Sequence, residues 1–181
     1  NKEMGFLRTS LIPGLIKAAD MNIKNSTSQF RIFELGHVHC KDDSSLNGVD
    51  ERKLLSGLAI GDIISENVHS ETVEEDLFSV KGLLSSLFEK KLSMRMELEA
   101  DVEDPGFELS RSIRLNKQKV GRLGRISKDW IDSMGLDLEK AYGFEIDLEP
   151  IKQMLDKRKT FKKIIPYPKV ISCLLYTSDA A

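Results

Sequence analysis

Cysteine, long apolar runs and an excess of one sign of charge are all scarce in this chain of 181 residues. Its two cysteines, Cys40 and Cys173, are too few for a disulfide framework, so we expect a reducing compartment, the cytoplasm. No apolar run approaches the roughly 18 residues that a membrane-spanning helix requires. The formal net charge of −2 gives no global electrostatic reason for the chain to bind nucleic acid or a membrane.

The residues that are present indicate one α+β domain. The content of hydrophobic (40%) and charged (31%) residues is that of an ordinary globular protein, and the length suffices for one substantial domain. Strand-like segments bunched between helix-like ones, without a regular strand–helix–strand repeat, predict a mainly antiparallel sheet packed with helices. Apolar spacing predicts helices over 12–23, 77–88, 127–134 and 149–155, and strands over 30–38, 54–60, 94–98, 113–115, 120–126 and 142–148.

Two of the predicted strands and the segments between them carry further expectations. Residues 30–38 are apolar on both faces, which predicts an interior strand covered on each side. Residues 142–148 alternate between apolar and polar with a period of two, which also indicates a strand. The polar stretches 42–50 and 66–76 predict surface loops, and the turn 116–119 is expected to join a hairpin.

Six phrases, taken in order, resemble the family of bacterial phenylalanyl-tRNA synthetase β subunits. The first two are the most specific, and Asp104 and Phe107 depart from the His and the small residue that the family usually has there. The resemblance implies a catalytic-like core that copies a class II synthetase fold without its chemistry. The phrases are LRTSLIPGL (7–15), FRIFELG (30–36), DLFSVKG (76–82), DPG (104–106), KVGRLGRI (119–126) and GFEIDL (143–148).

The same resemblance divides the chain into three parts. Residues 1–163 correspond to the non-catalytic core, and 164–172 to a linker into a truncated, ferredoxin-like anticodon-binding domain. Residues 173–181, CLLYTSDAA, look like the translation of a sequencing adapter. Because the chain also starts at Asn1 directly before a helix, we expect it to be a fragment.

The resemblance implies that this segment holds no catalytic, cofactor-binding or metal-binding residue. Class II synthetases hold ATP with an arginine on a central strand and a second arginine on a glycine-rich helix, since a guanidinium matches phosphate geometry. Arg31 followed by Glu34 resembles the first element with an altered interval, but the second has no counterpart. The nearest string, Gly121–Arg125, lies in the predicted hairpin. ATP and Mg²⁺ are therefore expected on a partner subunit.

Seven residues of the first two phrases are candidates for a structural or subunit-interface role. Glu34 lies within an apolar strand, where a carboxylate is costly unless it is paired. Arg8, at the start of the preceding helix, is its expected partner; the alternative is a contact with a catalytic subunit. On the first interpretation Glu34→Ala lowers the free energy of unfolding by more than ~1 kcal/mol. The candidates are Arg8, Thr9, Ser10, Pro13, Arg31, Glu34 and Gly36.

Two other clusters give weaker signals. His37 and His39 point the same way from a strand, but Cys40 faces the other side and no fourth ligand is apparent, so polar strand-end residues are expected instead of a metal site. Cys40 also lacks a recognisable base and oxyanion hole for nucleophilic catalysis. A basic segment is either a solvated helix end or a patch that faces tRNA phosphates. Its residues are Lys157, Arg158, Lys159, Lys162 and Lys163.

Two hypotheses of function follow. By resemblance, the chain is a scaffold that packs on the catalytic α subunit of an (αβ)₂ phenylalanine–tRNA ligase, which charges tRNA(Phe) with phenylalanine using ATP. The alternative is a free-standing binding domain derived from a synthetase fold. Upstream tRNA-binding and editing modules in the full gene would favour the first hypothesis.

Overall fold

The fold is an antiparallel sheet of six strands with helices on both faces. A computed structural model describes residues 7–27, 29–44, 48–64, 73–100, 106–133, 135 and 140–158. The helices are α1 (Ile12–Lys24), α2 (Leu77–Ser85), α3 (Lys128–Ser133) and α4 (Leu148–Arg158), with a π-helical segment, Ser86–Lys91, continuing α2. The strands are β1 (Phe30–Lys41), β2 (Val49–Ile60), β3 (Asp62–Ile64), β4 (Val73–Glu74), β5 (Met96–Ala100), β6 (Phe107–Leu115), β7 (Gln118–Ile126) and β8 (Tyr142–Asp147).

The order of strands in the main sheet is β1-β2-β8-β7-β6-β5, and β3 and β4 form a separate pair. All neighbouring strands are antiparallel, which confirms the predicted class of fold. Strand β8, the last of the described strands in chain order, lies between β2 and β7 and joins the β1–β2 hairpin to the β5–β6–β7 meander.

The predicted helices form where their start signals place them. Pro13 occupies the first turn of α1, where a missing N–H costs no hydrogen bond, and Asn25 is the C-cap that follows Lys24. Asp76 caps α2: its carboxylate accepts a hydrogen bond from the Ser79 N–H at 2.7 Å, and the Ser79 hydroxyl faces the Asp76 N–H in return. No helix in the described ranges is both long and apolar enough to cross a membrane.

The hydrophobic core consists of two main clusters on opposite faces of the sheet. Leu58 and Ala59 are neighbours on β2 and belong to different clusters, because successive side chains of a strand point to opposite faces. α1 and α3 cover the face of Leu58, which we call face A. α2 and α4 cover the face of Ala59, which we call face B.

The prediction that residues 30–38 form an interior strand is wrong. β1 lies at one end of the strand order, and the side chains of Phe33 and Leu35 are 76% and 53% exposed. Face A of β1 packs under α1 through Phe30 and Ile32, whereas its face B remains open. Apolar residues on both faces therefore mark a strand with one surface that the described part of the chain leaves uncovered.

The strand predicted from the alternation at 142–148 forms, but its burial does not alternate. The four residues from Gly143 to Ile146 are all buried, because β8 is central and both of its faces are covered. The polar residue Glu145 is therefore an interior residue, which the alternation alone does not reveal.

The hairpin prediction is confirmed with a tighter turn than expected. β6 and β7 are joined by a two-residue turn, Asn116 and Lys117. Both residues have positive φ (50° and 72°), as the hairpin turn whose twist matches that of the strands requires. Several expectations lie outside the described residues: most of the acidic stretch (65–72, with His69), Asp104 and Pro105, the linker 164–172 and the tail 173–181.

Candidate functional site

The four residues before α1, Arg8–Leu11, form a strap that lies beside the edge of β1 and reaches to the centre of the sheet. Arg8 Nη1 donates to Glu34 Oε1 at 2.6 Å, and Arg8 Nε donates to the His37 carbonyl oxygen at 2.8 Å. The Arg8 carbonyl oxygen accepts a hydrogen bond from the His39 N–H at 2.8 Å. The predicted pair of Arg8 with Glu34 is therefore confirmed as an ion pair between strap and strand.

The exposure of this pair changes its expected energetic value. The side chains of Arg8 and Glu34 are 48% and 33% exposed, so water solvates both charges. Ion pairs in such positions usually contribute ~0–1 kcal/mol. The expectation that Glu34→Ala lowers the free energy of unfolding by more than ~1 kcal/mol assumed that Glu34 is buried. Because the side chain is partly exposed, we expect a loss of less than ~1 kcal/mol instead.

Gly36 allows the strap to approach β1 closely. A Cβ atom at this position would lie 2.5 Å from Arg8 Nη2 and 3.1 Å from Leu11 Cδ2. The glycine of the second phrase therefore provides room for the strap, which is a structural reason for its presence.

The far end of the strap is held by Glu145, a residue that the sequence analysis did not select. Glu145 Oε1 accepts hydrogen bonds from Ser10 Oγ at 2.8 Å, from the Leu11 N–H at 2.9 Å and from Ser56 Oγ at 3.2 Å. Its other oxygen, Oε2, lies 3.0 Å from Arg122 Nη2. Because Glu145 is only 8% exposed, these four donors supply the solvation that the carboxylate has lost.

The signal for Glu145 was present in the sequence. It lies in GFEIDL, the last of the six phrases, and it is a carboxylate among apolar residues of a strand, as Glu34 is. The cost of an unpaired buried carboxylate therefore applies to both residues. Glu34 has a candidate partner, Arg8, in the neighbouring phrase, whereas the partners of Glu145 lie far from it in sequence.

The two arginines considered as phosphate ligands are both engaged by carboxylates of this chain. Arg31 forms an ion pair with Glu75, which is buried and also accepts a hydrogen bond from Ser79 Oγ at the start of α2. Arg122, from the glycine–arginine string, pairs with Glu145 and lies 4.9 Å from the centre of the Phe107 ring. The structure thus pairs Arg31 with Glu75, two residues before α2, and not with a residue of the strap.

The remaining predicted residues have the following places. Pro13 lies in the first turn of α1, and Ser10 both donates to Glu145 and accepts from the Ile12 N–H at 3.2 Å. Thr9 lines a cleft of about 340 Å³ on face A together with Cys40, Arg52, Arg122, Glu145 and Asp147. The cleft carries charges of both signs and does not identify a ligand.

The histidine pair and the basic segment give no assembled site. His39 Nε2 lies 3.8 Å from Glu51 Oε1, and within the ranges that the structure covers no three His, Cys, Asp or Glu side chains are grouped to hold a metal ion. Helix α4 ends at Arg158, and Lys159, Lys162 and Lys163 lie outside the described residues. The basic patch therefore stays a prediction.

Two ion pairs around the sheet shift pKa values through hydrogen bonds. The pKa of Glu108 is lowered, mainly because the Lys128 N–H donates to its carboxylate at 3.1 Å and additionally because Arg125 pairs with it. The pKa of Arg52 is raised by its hydrogen bond to Asp50 at 2.6 Å. Glu108 therefore joins β6 to the first residue of α3 as a carboxylate.

A second surface lies on face B, beside β1. A groove of about 260 Å³ runs between the edge strand and α2, and its walls are almost entirely apolar. Phe33, Leu83 and Leu87 line it and remain exposed. The other main lining residues are Leu55, Val80, Leu84, Tyr142 and Phe144.

These features define an α+β domain in which an antiparallel sheet and a buried carboxylate hold an N-terminal strap, with no assembled catalytic group among the described residues. The family model described as phenylalanyl tRNA synthetase beta chain CLM domain matches residues 1–148. The chain belongs to this family.

The curated relatives that match most of the chain share one name. The phenylalanine–tRNA ligase beta subunit of Halalkalibacterium halodurans is 30% identical over 155 residues, which are 83% of this chain and 19% of that protein. Its counterpart in Staphylococcus saprophyticus is 31% identical over 170 residues, 91% of this chain and 20% of that protein. That of Francisella tularensis is 29% identical over 181 residues, with 99% and 22% covered. The chain thus spans about a fifth of the length of these relatives.

Proposed function

We propose that the chain acts as a non-catalytic scaffold within the β subunit of phenylalanine–tRNA ligase, the aminoacyl-tRNA synthetase that charges tRNA with phenylalanine for protein biosynthesis. The observation that carries this proposal is the match of the CLM-domain family model to residues 1–148. On this proposal the free-standing binding domain is the alternative that experiment must exclude.

The internal ion pairs support a structural role. A phosphate clamp needs guanidinium groups that are directed at a ligand. Here Arg31 and Arg122 instead bind the buried carboxylates Glu75 and Glu145. ATP and Mg²⁺ would then be bound by the catalytic α subunit, on a class II core of which this antiparallel sheet is the catalytic-like counterpart.

The proposed assembly is an (αβ)₂ heterotetramer in the cytoplasm, with tRNA(Phe) bound at the level of the whole enzyme. We assign the contact with the α subunit to the strap and the adjoining part of β1, up to Gly36. The half-exposed guanidinium of Arg8 gives this surface a charge that a partner carboxylate can approach. The segment from Lys157 to Lys163 is the proposed tRNA-facing patch.

The test is co-expression of the 181-residue chain with the α subunit of the Halalkalibacterium halodurans enzyme, followed by size-exclusion chromatography with light scattering. A complex containing both chains is expected. Arg8→Glu should weaken it, whereas Arg95→Glu, at another exposed ion-paired arginine, should not. A folded chain that never associates with the α subunit contradicts the scaffold and favours a free-standing domain.

A further inference from the structure

The two ends of the strap differ in burial. At the outer end, Arg8 bonds to β1 and its side chain is 48% exposed. At the inner end, Leu11 is 1% exposed and its main-chain N–H donates to Glu145 at 2.9 Å. Thr9, between the two ends, is exposed. The strap therefore presents its middle to solvent, and its two ends determine where that middle lies.

Apolar packing alone does not fix the inner end of the strap. Leu11 packs with Val38 and Leu54, but apolar contacts have no preferred direction. Thr9 borders the cleft of about 340 Å³, where close packing is interrupted. Because hydrogen bonds are directional, the course of the chain at this end depends on them.

Glu145 accepts hydrogen bonds from the inner end of the strap. Its Oε1 atom accepts from Ser10 Oγ at 2.8 Å and from the Leu11 N–H at 2.9 Å, and Ser10 Oγ in turn accepts from the Ile12 N–H. Helix α1 begins at these residues, and Leu11, its N-cap residue, forms no side-chain cap. A carboxylate beside the first N–H groups of a helix is favourable, because these groups lack partners within the helix.

The Glu145 carboxylate is itself held by the sheet. Its other oxygen, Oε2, lies 3.0 Å from Arg122 Nη2, and Ser56 Oγ donates to Oε1 at 3.2 Å. Arg122 lies 4.9 Å from the centre of the Phe107 ring, which restrains the guanidinium group in turn. One oxygen thus faces the arginine of β7 and the other faces the strap. The carboxylate therefore connects the position of the strap to that of the central strands.

We propose that Glu145 is a positioning residue for the contact with the α subunit: it holds the inner end of the strap so that Arg8 and Thr9 are presented in one conformation. This inference rests on the proposed scaffold function, which assigns the strap to that contact. A segment that is ordered before binding loses less conformational entropy on association than one that the partner must order. Removing the acceptor should therefore weaken the complex, although Glu145 is buried within its own chain.

The experiment compares two substitutions of Glu145 in the 181-residue chain. Glu145→Leu removes the oxygen that accepts from Ser10 and Leu11. Glu145→Gln keeps an amide oxygen that can accept these bonds, but it loses the charge that pairs with Arg122. Both variants should therefore unfold at lower urea concentration than the unaltered chain, and only Glu145→Leu should release the strap.

Hydrogen exchange of the free chain is the first measurement, because it reports on the strap without any partner. The Leu11 amide should exchange at least ~10-fold faster in Glu145→Leu than in Glu145→Gln. The amides of β8 should stay protected in both variants, which shows that they are folded. Equal exchange at Leu11 in the two folded variants would overturn the proposal. If Glu145→Leu does not fold, Ser10→Ala, which removes a strap donor to the same oxygen, replaces it in both measurements.

The second measurement is the affinity for the α subunit of the Halalkalibacterium halodurans enzyme, obtained by titration. Glu145→Leu is expected to raise the dissociation constant at least ~10-fold, about 1.4 kcal/mol, and Glu145→Gln less than ~3-fold. The control is Glu108→Leu. Glu108 likewise joins an arginine of β7, Arg125, to the first main-chain N–H of a helix, at Lys128, but this helix is α3. The control should lose stability and keep its affinity.

The outcomes separate this inference from the scaffold function. If the unaltered chain and Glu145→Leu bind the α subunit equally well despite a loosened strap, the scaffold function stands and Glu145 has only a structural role. If Glu145→Leu and Glu108→Leu weaken the complex equally, affinity follows stability and the positioning role is refuted. If the unaltered chain does not bind the α subunit, the scaffold function fails and the positioning role fails with it.

Discussion

At the scale of single residues, the buried carboxylate of Glu145 connects the strap to the centre of the sheet. One buried carboxylate receives donors from the strap, from β2 and from β7. Glu34, at the other end of the strap, has one charged partner and remains partly solvated. The two glutamates therefore form a natural comparison between a buried and an exposed ion pair on the same structural element.

Glu145→Ala is expected to lower the free energy of unfolding by about 3–5 kcal/mol, because it removes a buried ion-pair partner of Arg122 and the carboxylate that accepts from Ser10 Oγ and the Leu11 N–H. Glu34→Ala is expected to cost less than ~1 kcal/mol, since water replaces the lost partner. Urea denaturation of both variants gives the comparison. Equal losses would mean that burial does not separate the two pairs.

Glu108 gives stability a dependence on acid pH. Its pKa in the folded chain is lowered from the ordinary 4.5 by the Lys128 N–H and Arg125. The unfolded chain therefore binds more protons near this pH, so the stabilisation is present above about pH 4.5 and is lost as the pH falls through the lowered pKa.

The variant Glu108→Gln should accordingly flatten the fall in urea midpoint on acidification below about pH 4.5, while the midpoint is already lower at neutral pH. Glu51→Gln is the control, because Glu51 has only a distant histidine as partner. An acid limb that is unchanged in Glu108→Gln would contradict the assigned hydrogen bonds.

At the scale of elements, α2 begins at a capping box formed by Asp76 and Ser79. Asp76 and Ser79 satisfy each other's main-chain N–H groups at the start of the helix. The Ser79 hydroxyl also reaches the buried Glu75, which holds Arg31 of β1. The cap therefore ties the helix to the edge strand as well as starting it.

Asp76→Ala is expected to destabilise the chain by ~1 kcal/mol, within the ~0.5–2 kcal/mol found for lost caps. Asp76→Asn, which keeps an acceptor, should recover most of this loss. Thermal unfolding of the two variants tests the assignment, and an asparagine variant as unstable as the alanine variant would refute it.

The elements themselves could be predicted from the sequence, but their neighbours could not. Periodicity and capping residues are local, so α1, α2 and the β6–β7 hairpin were placed correctly. The position of a strand in the sheet depends on contacts distant in sequence. Phe33 therefore seemed buried although β1 is an edge, and the burial of Glu145 depended on β2 and β7, which its own phrase does not show.

For the molecule as a whole, the strand order predicts a gradient of protection from hydrogen exchange. The amides of Phe144 and Ile146 lie in the central strand between two partners, whereas those of Phe33 and Leu35 point away from β2 at the edge. In dilute solution the central amides should exchange only through global unfolding, and the edge amides much faster. Comparable rates in β1 and β8 would contradict the order of strands.

The central position of β8 also has a consequence for how the chain acquires its fold during synthesis. A ribosome adds the residues of the β1–β2 hairpin and of the β5–β6–β7 meander before it adds Tyr142–Asp147. Until then the two halves are not joined through a strand. Each half has an additional unpaired strand edge, β2 in one and β7 in the other. The nascent chain is therefore most vulnerable just before β8 emerges, and a chaperone that shields β2 and β7 would act in that interval.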